Sequence, residues 1–341
     1  MQAVRVHPAP KDSTPYSAAN PAPSSALQVD QNVLVPVPSA PGELLVKVKA
    51  TTVIRDMLTW PESYAHEYAI LGNDFSGIVT EVFSGTSKFK PGDEVFGMAD
   101  VDRASTWAEY TIAKEDEVVL KPASLTFAQA AAMPLSAHTA YEALFEHTSI
   151  ARPSIEQVLS KSVSNKDINV LITGASGAVG IYLVQLAAVA GVRVVAASSS
   201  NARNEQFLRQ LGADEVVEYS ELDRYKGHFN FIIDTVGGPV LEKCWDYVRD
   251  NGTLVSVDSA SYEFVDQHEK RGLRKAGVHA EFFIVKGSQD GLHYISELVT
   301  AGALQSFVAK EYPLAKVQEA YDIANGRSYG RGKVILDISA Q

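Results

Sequence analysis

The chain has 341 residues, 46% of them hydrophobic and 21% charged, which is enough to bury a large core and a length that fits two domains. A net charge of -11 disfavours binding to nucleic-acid phosphates or anionic lipid, since both need a basic patch. The single cysteine, Cys244, excludes an intramolecular disulfide, a four-cysteine zinc site and a thiolate-held iron–sulfur cluster.

In chain order, Met1-Gln2-Ala3-Val4-Arg5-Val6 alternates like a strand and lacks the apolar run of a signal peptide. No stretch of about 18 apolar residues predicts a membrane span, and the end, Ile338-Ser339-Ala340-Gln341, carries no peroxisomal or retention signal. Cytosol is therefore the expected compartment. Residues 1–125 read as short strands broken by Pro and Gly, clearest at 44–49 and 77–82, with a loop over 8–41 that holds one strand near Leu27-Gln28-Val29. Composition shifts to Ala, Leu and other helix formers over 126–147, and a polar segment, 160–167, follows as a crossing between domains.

From Asn169 to about Val285, strands at 170–173, 193–197, 229–233 and 253–257 alternate with amphipathic helices, the signature of a parallel sheet covered on both faces. The segment 279–285 reads as an edge strand able to pair two subunits, so a homodimer is expected. After two further helical patterns a last strand, 333–338, is expected to return to the first domain. The predicted fold class is α/β: a β-rich domain over 1–140, rejoined by 290–341, and a doubly wound parallel-sheet domain over 141–289.

The strand ending at Thr173 runs into Gly174-Ala175-Ser176-Gly177-Ala178-Val179-Gly180 and then into a helix with Val179, Leu183, Leu186 and Ala190 on one face. Glycines at this spacing let the backbone approach a pyrophosphate, and the helix N-terminus offers N–H groups and a positive dipole. The position between strand and helix predicts a dinucleotide site. The next strand ends in Ser198-Ser199-Ser200-Asn201-Ala202-Arg203, where an NAD site would carry an acid for the ribose 2'-hydroxyl. Hydroxyls of Ser198 and Ser199 with the Arg203 guanidinium instead suit the 2'-phosphate of NADPH. Arg203 as a solvated helix residue is the other reading.

Six ordered motifs give the chain a wider resemblance: Leu71-Gly72-Asn73-Asp74-Phe75-Ser76-Gly77, Lys90-Pro91-Gly92-Asp93-Glu94-Val95-Phe96-Gly97, Ala131-Ala132-Met133-Pro134-Leu135-Ser136-Ala137-His138-Thr139-Ala140, Asp234-Thr235-Val236-Gly237-Gly238, Phe282-Phe283-Ile284-Val285 and Gly330-Arg331-Gly332-Lys333-Val334. They resemble the zinc-lacking medium-chain dehydrogenase/reductase proteins of the quinone oxidoreductase and enoyl reductase branch. The resemblance implies a GroES-like catalytic domain before a Rossmann domain. Zinc-containing relatives carry Gly-His-Glu where this chain has Gly72-Asn73-Asp74, and they need an early cysteine ligand, so no metal is expected. Without a Lewis acid, the implied chemistry is hydride delivery from NADPH to the β-carbon of an enone or enoyl compound, or to a quinone, followed by protonation of the enolate. The same resemblance puts Tyr219 near the adenosine 2'-phosphate and Thr139 by the nicotinamide or its phosphates. It makes Lys333 a phosphate or ribose contact, and Phe283 and Ile284 the segment passing the nicotinamide amide. The chain departs from the family at Val53-Ile54-Arg55-Asp56, where many reductases have Asn-Pro-x-Asp.

Tyr64 and His66 precede the Gly72 motif, where a substrate pocket would open in the resembling fold, and either can orient a carbonyl or supply the proton. A surface-loop tyrosine and histidine, with water as donor, is the plainer alternative. Cys244 shares a helical face with Leu241, Trp245 and Val248, which makes it core. Other readings remain: a zinc-independent carbonyl reductase, a tailoring enzyme of polyketide type, or a non-catalytic NADPH-binding structural or regulatory protein.

Overall fold

The computed structural model describes residues 1–83, 87–103, 105–326 and 330–339, and every number and absence below concerns these described residues. Ala340 and Gln341, in the end read as lacking a targeting signal, lie outside them. The chain forms two compact units, one of Met1–Leu135, Gly287–Ser296 and Ser306–Gln341, the other of Ser136–Lys286 and Glu297–Gln305.

The strands are β1 (Ala3–Val6), β2 (Leu27–Asp30), β3 (Glu43–Val53), β4 (Asp74–Val82), β5 (Glu94–Met98), β6 (Tyr110–Lys114), β7 (Val118–Leu120), β8 (Asn165–Ile172), β9 (Val192–Ser198), β10 (Glu215–Glu218), β11 (Phe229–Asp234), β12 (Val248–Ser256), β13 (His279–Phe282), β14 (Val308–Pro313) and β15 (Lys333–Asp337). In the first unit, seven strands form a sheet in the order β14-β15-β3-β4-β5-β7, with β6 also paired to β3. The long β3 carries it because Leu44, Val46 and Val48 point inward while Lys47 is exposed, the two-residue alternation of a half-buried strand. Those side chains pack with Phe75, Val79 and Val95. The last strand, β15, returns to this sheet antiparallel to β3, pairing Val334 with Val53 and Leu336 with Thr51.

A second cluster in this unit gathers Val4, Leu27, Met57, Leu58, Leu71 and Trp107. The buried Trp107 indole donates to the Thr52 carbonyl at 2.9 Å, so its burial leaves no donor unpaired. The helix Val317–Asn325 sends Val317, Ala320, Tyr321 and Ala324 into the same cluster at helical spacing. It also anchors the 56–64 loop: the Tyr321 hydroxyl accepts from Leu58 N at 3.0 Å and Asn325 Oδ1 from Asp56 N at 2.8 Å.

In the second unit six strands, all parallel, lie in the order β10-β9-β8-β11-β12-β13. Relative to their order in the chain this is the 3-2-1-4-5-6 arrangement of a Rossmann sheet. Strands covered on both faces need continuous apolar runs, and Val170-Leu171-Ile172 and the 194–197 stretch of β9 are fully buried. The 160–167 segment is not wholly a connector: β8 begins at Asn165, with a register shift before Asn169 that accommodates its polar start. The four-residue β10, with Glu at each end, has too short an apolar run to announce itself. β13 does lie at the sheet edge, but it ends at Phe282, leaving Phe283 and Ile284 beyond it.

Candidate functional site

The strand order reverses between β8 and β11, and it is outside the carboxyl ends of such a pair that a crevice opens in a parallel sheet. β8 delivers Thr173 and Gly174 to that point. Gly174 adopts a φ of +61°, and a Cβ there would stand 2.2 Å from Thr235 Oγ1. A Cβ on Gly180 would stand 2.2 Å from the Gly174 carbonyl oxygen, so the turn closes onto the helix α1 (Gly180–Val189) only because both positions lack side chains. Gly177 N donates to Gly174 O at 2.8 Å and Ala175 N to Ala197 O at 3.1 Å. Ala175 is buried, whereas Ser176, Gly177, Ala178 and Val179 reach the surface in part or fully. The positive end of a buried apolar helix therefore meets a turn kept tight by glycine at its two ends, which fits a dinucleotide pyrophosphate.

Asp234, at the end of β11, holds this turn. Its Oδ1 accepts from Thr173 Oγ1 at 2.6 Å and from Val236 N at 3.3 Å, and its Oδ2 from Gly237 N at 2.9 Å and Ser256 Oγ at 3.0 Å. Burial pushes its carboxyl above the usual range, opposed by those donors. Thr235 adds a bond from its hydroxyl to Thr173 O at 3.0 Å. The ends of β8, β11 and β12 are thus fastened through one side chain. The Asp234-Thr235-Val236-Gly237-Gly238 motif is visible in the sequence, but nothing in it says that the carboxylate faces inward.

Tyr219 lies at the same edge, its hydroxyl accepting from Gly174 N at 2.9 Å. Burial first, with Asp234 and Cys244 nearby, pushes its phenol up to about 12. Ser198 is buried; Ser199 and Arg203 are exposed, Arg203 on the first turn of α2 (Asn201–Gln210). The segment carries no acid of its own, but the neighbouring strand brings one to it. Glu218, ending β10 opposite Ser198, turns its carboxylate to accept from Asn201 N at 2.8 Å. Local sequence could not reveal it, because the acid comes from a neighbouring strand.

The remaining expected cofactor residues are Thr139, Phe283, Ile284 and Lys333. Thr139, on the helix Pro134–Phe145, is buried. Phe283 stacks on His147 with ring centroids 4.0 Å apart, and His147 Nδ1 lies 3.1 Å from Glu281 Oε1. Ile284 is exposed. Lys333, in the first unit, is buried with its ammonium 3.7 Å from Asp74 Oδ2. Asp74 also accepts from Thr52 Oγ1 and from Leu135 N, each at 2.6 Å, the latter at the start of the Pro134–Phe145 helix. Burial raises the Asp74 carboxyl and lowers the Lys333 ammonium, each opposed by the other's charge. The structure gives Lys333 a partner that the sequence reading did not: a buried carboxylate.

The first unit contains a cavity of about 260 Å³ whose lining includes Trp60, His66, Tyr68, Asn73, Arg103 and Ser105. His66 is exposed on this lining. Tyr64 is not part of it, which corrects the expectation of a proton donor there. Its hydroxyl donates to Leu58 O at 2.5 Å and accepts from Ala22 N at 2.9 Å, and burial raises its pKa. The phenol fastens a loop rather than facing a ligand.

Two protein-family models match the chain: "Alcohol dehydrogenase GroES-like domain" over residues 40–123 and "Zinc-binding dehydrogenase" over 211–336. A probable zinc-binding oxidoreductase of mitochondria from Arthroderma benhamiae is 33% identical over 307 residues, covering 87% of this chain and 88% of that protein. A human mitochondrial NAD(P)H oxidoreductase is 29% identical over 356 residues, covering 92% and 86%. Among solved structures, the quinone oxidoreductase from Coxiella burnetii superposes with a TM-score of 0.80 at 26% identity, covering 99% of each chain.

The metal in those names does not fit the residues present. At the Gly72-Asn73-Asp74 position, Asn73 Nδ2 donates to Ala99 O at 3.3 Å and Asp74 is occupied as described. Cys244 is buried in the second unit, its thiol raised well above the usual range by burial. Among the described residues no group of three or more His, Cys, Asp or Glu side chains could hold a metal ion.

The comparisons overturn the cytosolic expectation, because the fungal and vertebrate relatives are named as mitochondrial and the plant relatives as chloroplastic. One cysteine argues only against an oxidising compartment, a test that does not separate the cytosol from an organelle interior.

Proposed function

We propose, for a chain that belongs to the medium-chain dehydrogenase/reductase superfamily and is an NAD(P)H-dependent oxidoreductase of its quinone-oxidoreductase branch, that it reduces the conjugated double bond of an enone or enoyl compound, or a quinone, with NADPH. The bound nucleotide supplies a hydride. The observation that carries this reading is the glycine turn Gly174–Gly180 at the β8/β11 reversal, where Gly174 and Gly180 have no room for a Cβ and Asp234 holds Thr173 just before the turn. Gly174, Ala175, Ser176, Gly177, Ala178 and Val179 would hold the pyrophosphate through the turn and the start of α1, and Ser198, Ser199, Arg203 and Tyr219 the adenosine end. Thr139, Phe283, Ile284 and Lys333 are proposed toward the nicotinamide half on the strength of the family motifs.

The cavity in the first unit supports a small organic substrate, since aromatic walls at Trp60 and Tyr68 stand beside polar groups at His66, Asn73 and Ser105. His66, as the exposed imidazole on that lining, is the proposed proton donor or carbonyl-orienting group. Protein mixed with NADPH, and separately with NADH, is followed at the reduced-nicotinamide absorbance against enones, quinones and simple ketones, with products identified by mass. NADPH consumption giving saturated carbonyls or hydroquinones supports the reading. Consumption with ketones alone, giving alcohols, would replace it with a carbonyl reductase.

A further inference from the structure

We infer that Glu218 determines the cofactor selectivity of this oxidoreductase, by setting a carboxylate against the adenosine ribose so that NADPH is preferred over NADH only narrowly. The inference rests on the nicotinamide-nucleotide reading above and refines its adenosine end. β9 and β10 finish side by side, with Glu218 in register with Ser198. The segment that follows β9, which in an NAD site would carry the ribose acid itself, therefore lies within reach of a side chain from β10. Glu218 Oε1 uses that reach to accept from Asn201 N at 2.8 Å, the first amide of the ten-residue helix α2. A negative charge thus already occupies the helix end that would attract a 2'-phosphate.

The backbone and side chains around that contact are fixed in turn. Glu218 N donates to Glu221 Oε2 at 3.0 Å, and Asn201 Nδ2 donates to Val216 O at 3.3 Å. That second bond orients the Asn201 amide and leaves its buried Oδ1 with no hydrogen-bond partner. Two acceptors, Glu218 and Asn201 Oδ1, therefore sit at one turn. Acceptors suit a ribose hydroxyl, which can donate; a phosphate dianion only accepts and is repelled by a carboxylate. On the other side of the balance are the exposed Arg203 and Ser199, which suit the phosphate. Recognition of NADPH comes from the segment after β9, and the opposing preference from the strand folded beside it.

The test reads binding, so it needs no substrate. Fluorescence titrations with NADPH and NADH give two Kd values each for the wild type, Glu218→Gln and Arg203→Ala. The glutamine keeps an acceptor for Asn201 N and removes the charge. The expected wild-type ratio is under about tenfold, and Glu218→Gln raises NADPH preference by about tenfold, mainly by tightening NADPH. Arg203→Ala moves the ratio the other way. A ratio unmoved by Glu218→Gln, or equal weakening of both nucleotides, overturns the inference while leaving the enzyme reading intact. Failure of the wild type to bind either nucleotide overturns that reading, and the inference with it.

Discussion

At the scale of single residues, the Gly174–Gly180 turn proposed to hold the nucleotide depends on atoms that are missing as much as on atoms present. Alanine at Gly180 would force its methyl to 2.2 Å from the Gly174 carbonyl, backbone that cannot swing aside. Gly180→Ala should weaken NADPH binding by about tenfold or more, read by fluorescence titration. Asp234→Ala leaves four donors, on Thr173, Val236, Gly237 and Ser256, without their acceptor. The loss should be at least about 3 kcal/mol in denaturant unfolding, and an unchanged midpoint would show that water replaces the carboxylate without cost. Tyr219 offers a pH test. Its phenol is raised from 10.0 to about 12 in the folded protein, so its un-ionised form stabilises the fold. That contribution is complete below the ordinary value and is lost as pH rises through about 12. Burial raises the Tyr247 phenol as well, so alkaline difference spectroscopy should show several late-ionising tyrosines and one fewer of them in Tyr219→Phe.

At the scale of elements, the buried Asp74–Lys333 pair joins β4 and β15 and holds the first turn of the Pro134–Phe145 helix through Leu135 N. Removing either partner strands the other charge in the interior, so Asp74→Asn and Lys333→Met should each cost about 3 to 5 kcal/mol of stability. The double variant should cost less than the sum, since neither charge is then left alone. Strict additivity in a double-mutant cycle would mean that the two charges do not interact. The 56–64 segment, two short 3-10 helices, is anchored by hydrogen bonds between its backbone and the side chains of Tyr321, Asn325 and Tyr64. Its reading as a place for a catalytic tyrosine therefore gives way to one in which the tyrosine shapes the cavity's surroundings from behind.

At the scale of the whole molecule, the absence of a fitting donor set leads to an expectation that the family names would not suggest. Prolonged dialysis against a strong chelator should change neither the unfolding midpoint nor NADPH oxidation. A loss restored by added zinc would mean that a metal binds through residues outside those described. Among the described residues no helix is long and apolar enough to cross a membrane.

Much of this architecture can be read along the chain because its determinants are local. The alternation of Leu44, Val46 and Val48, the buried runs of β8 and β9, and the Gly174-to-Gly180 spacing between strand and helix are each set by neighbours a few residues apart. From these the sequence by itself determined the fold class and the glycine turn between strand and helix. Tertiary structure decided what depends on contacts between distant segments: that Asp234 clamps three strand ends, that Tyr64 is spent on Leu58 and Ala22, that Lys333 faces Asp74, and that Glu218 reaches Asn201. A polar side chain's role depends on what desolvates it and which donor or charge it meets, and those partners become neighbours only when the sheets assemble.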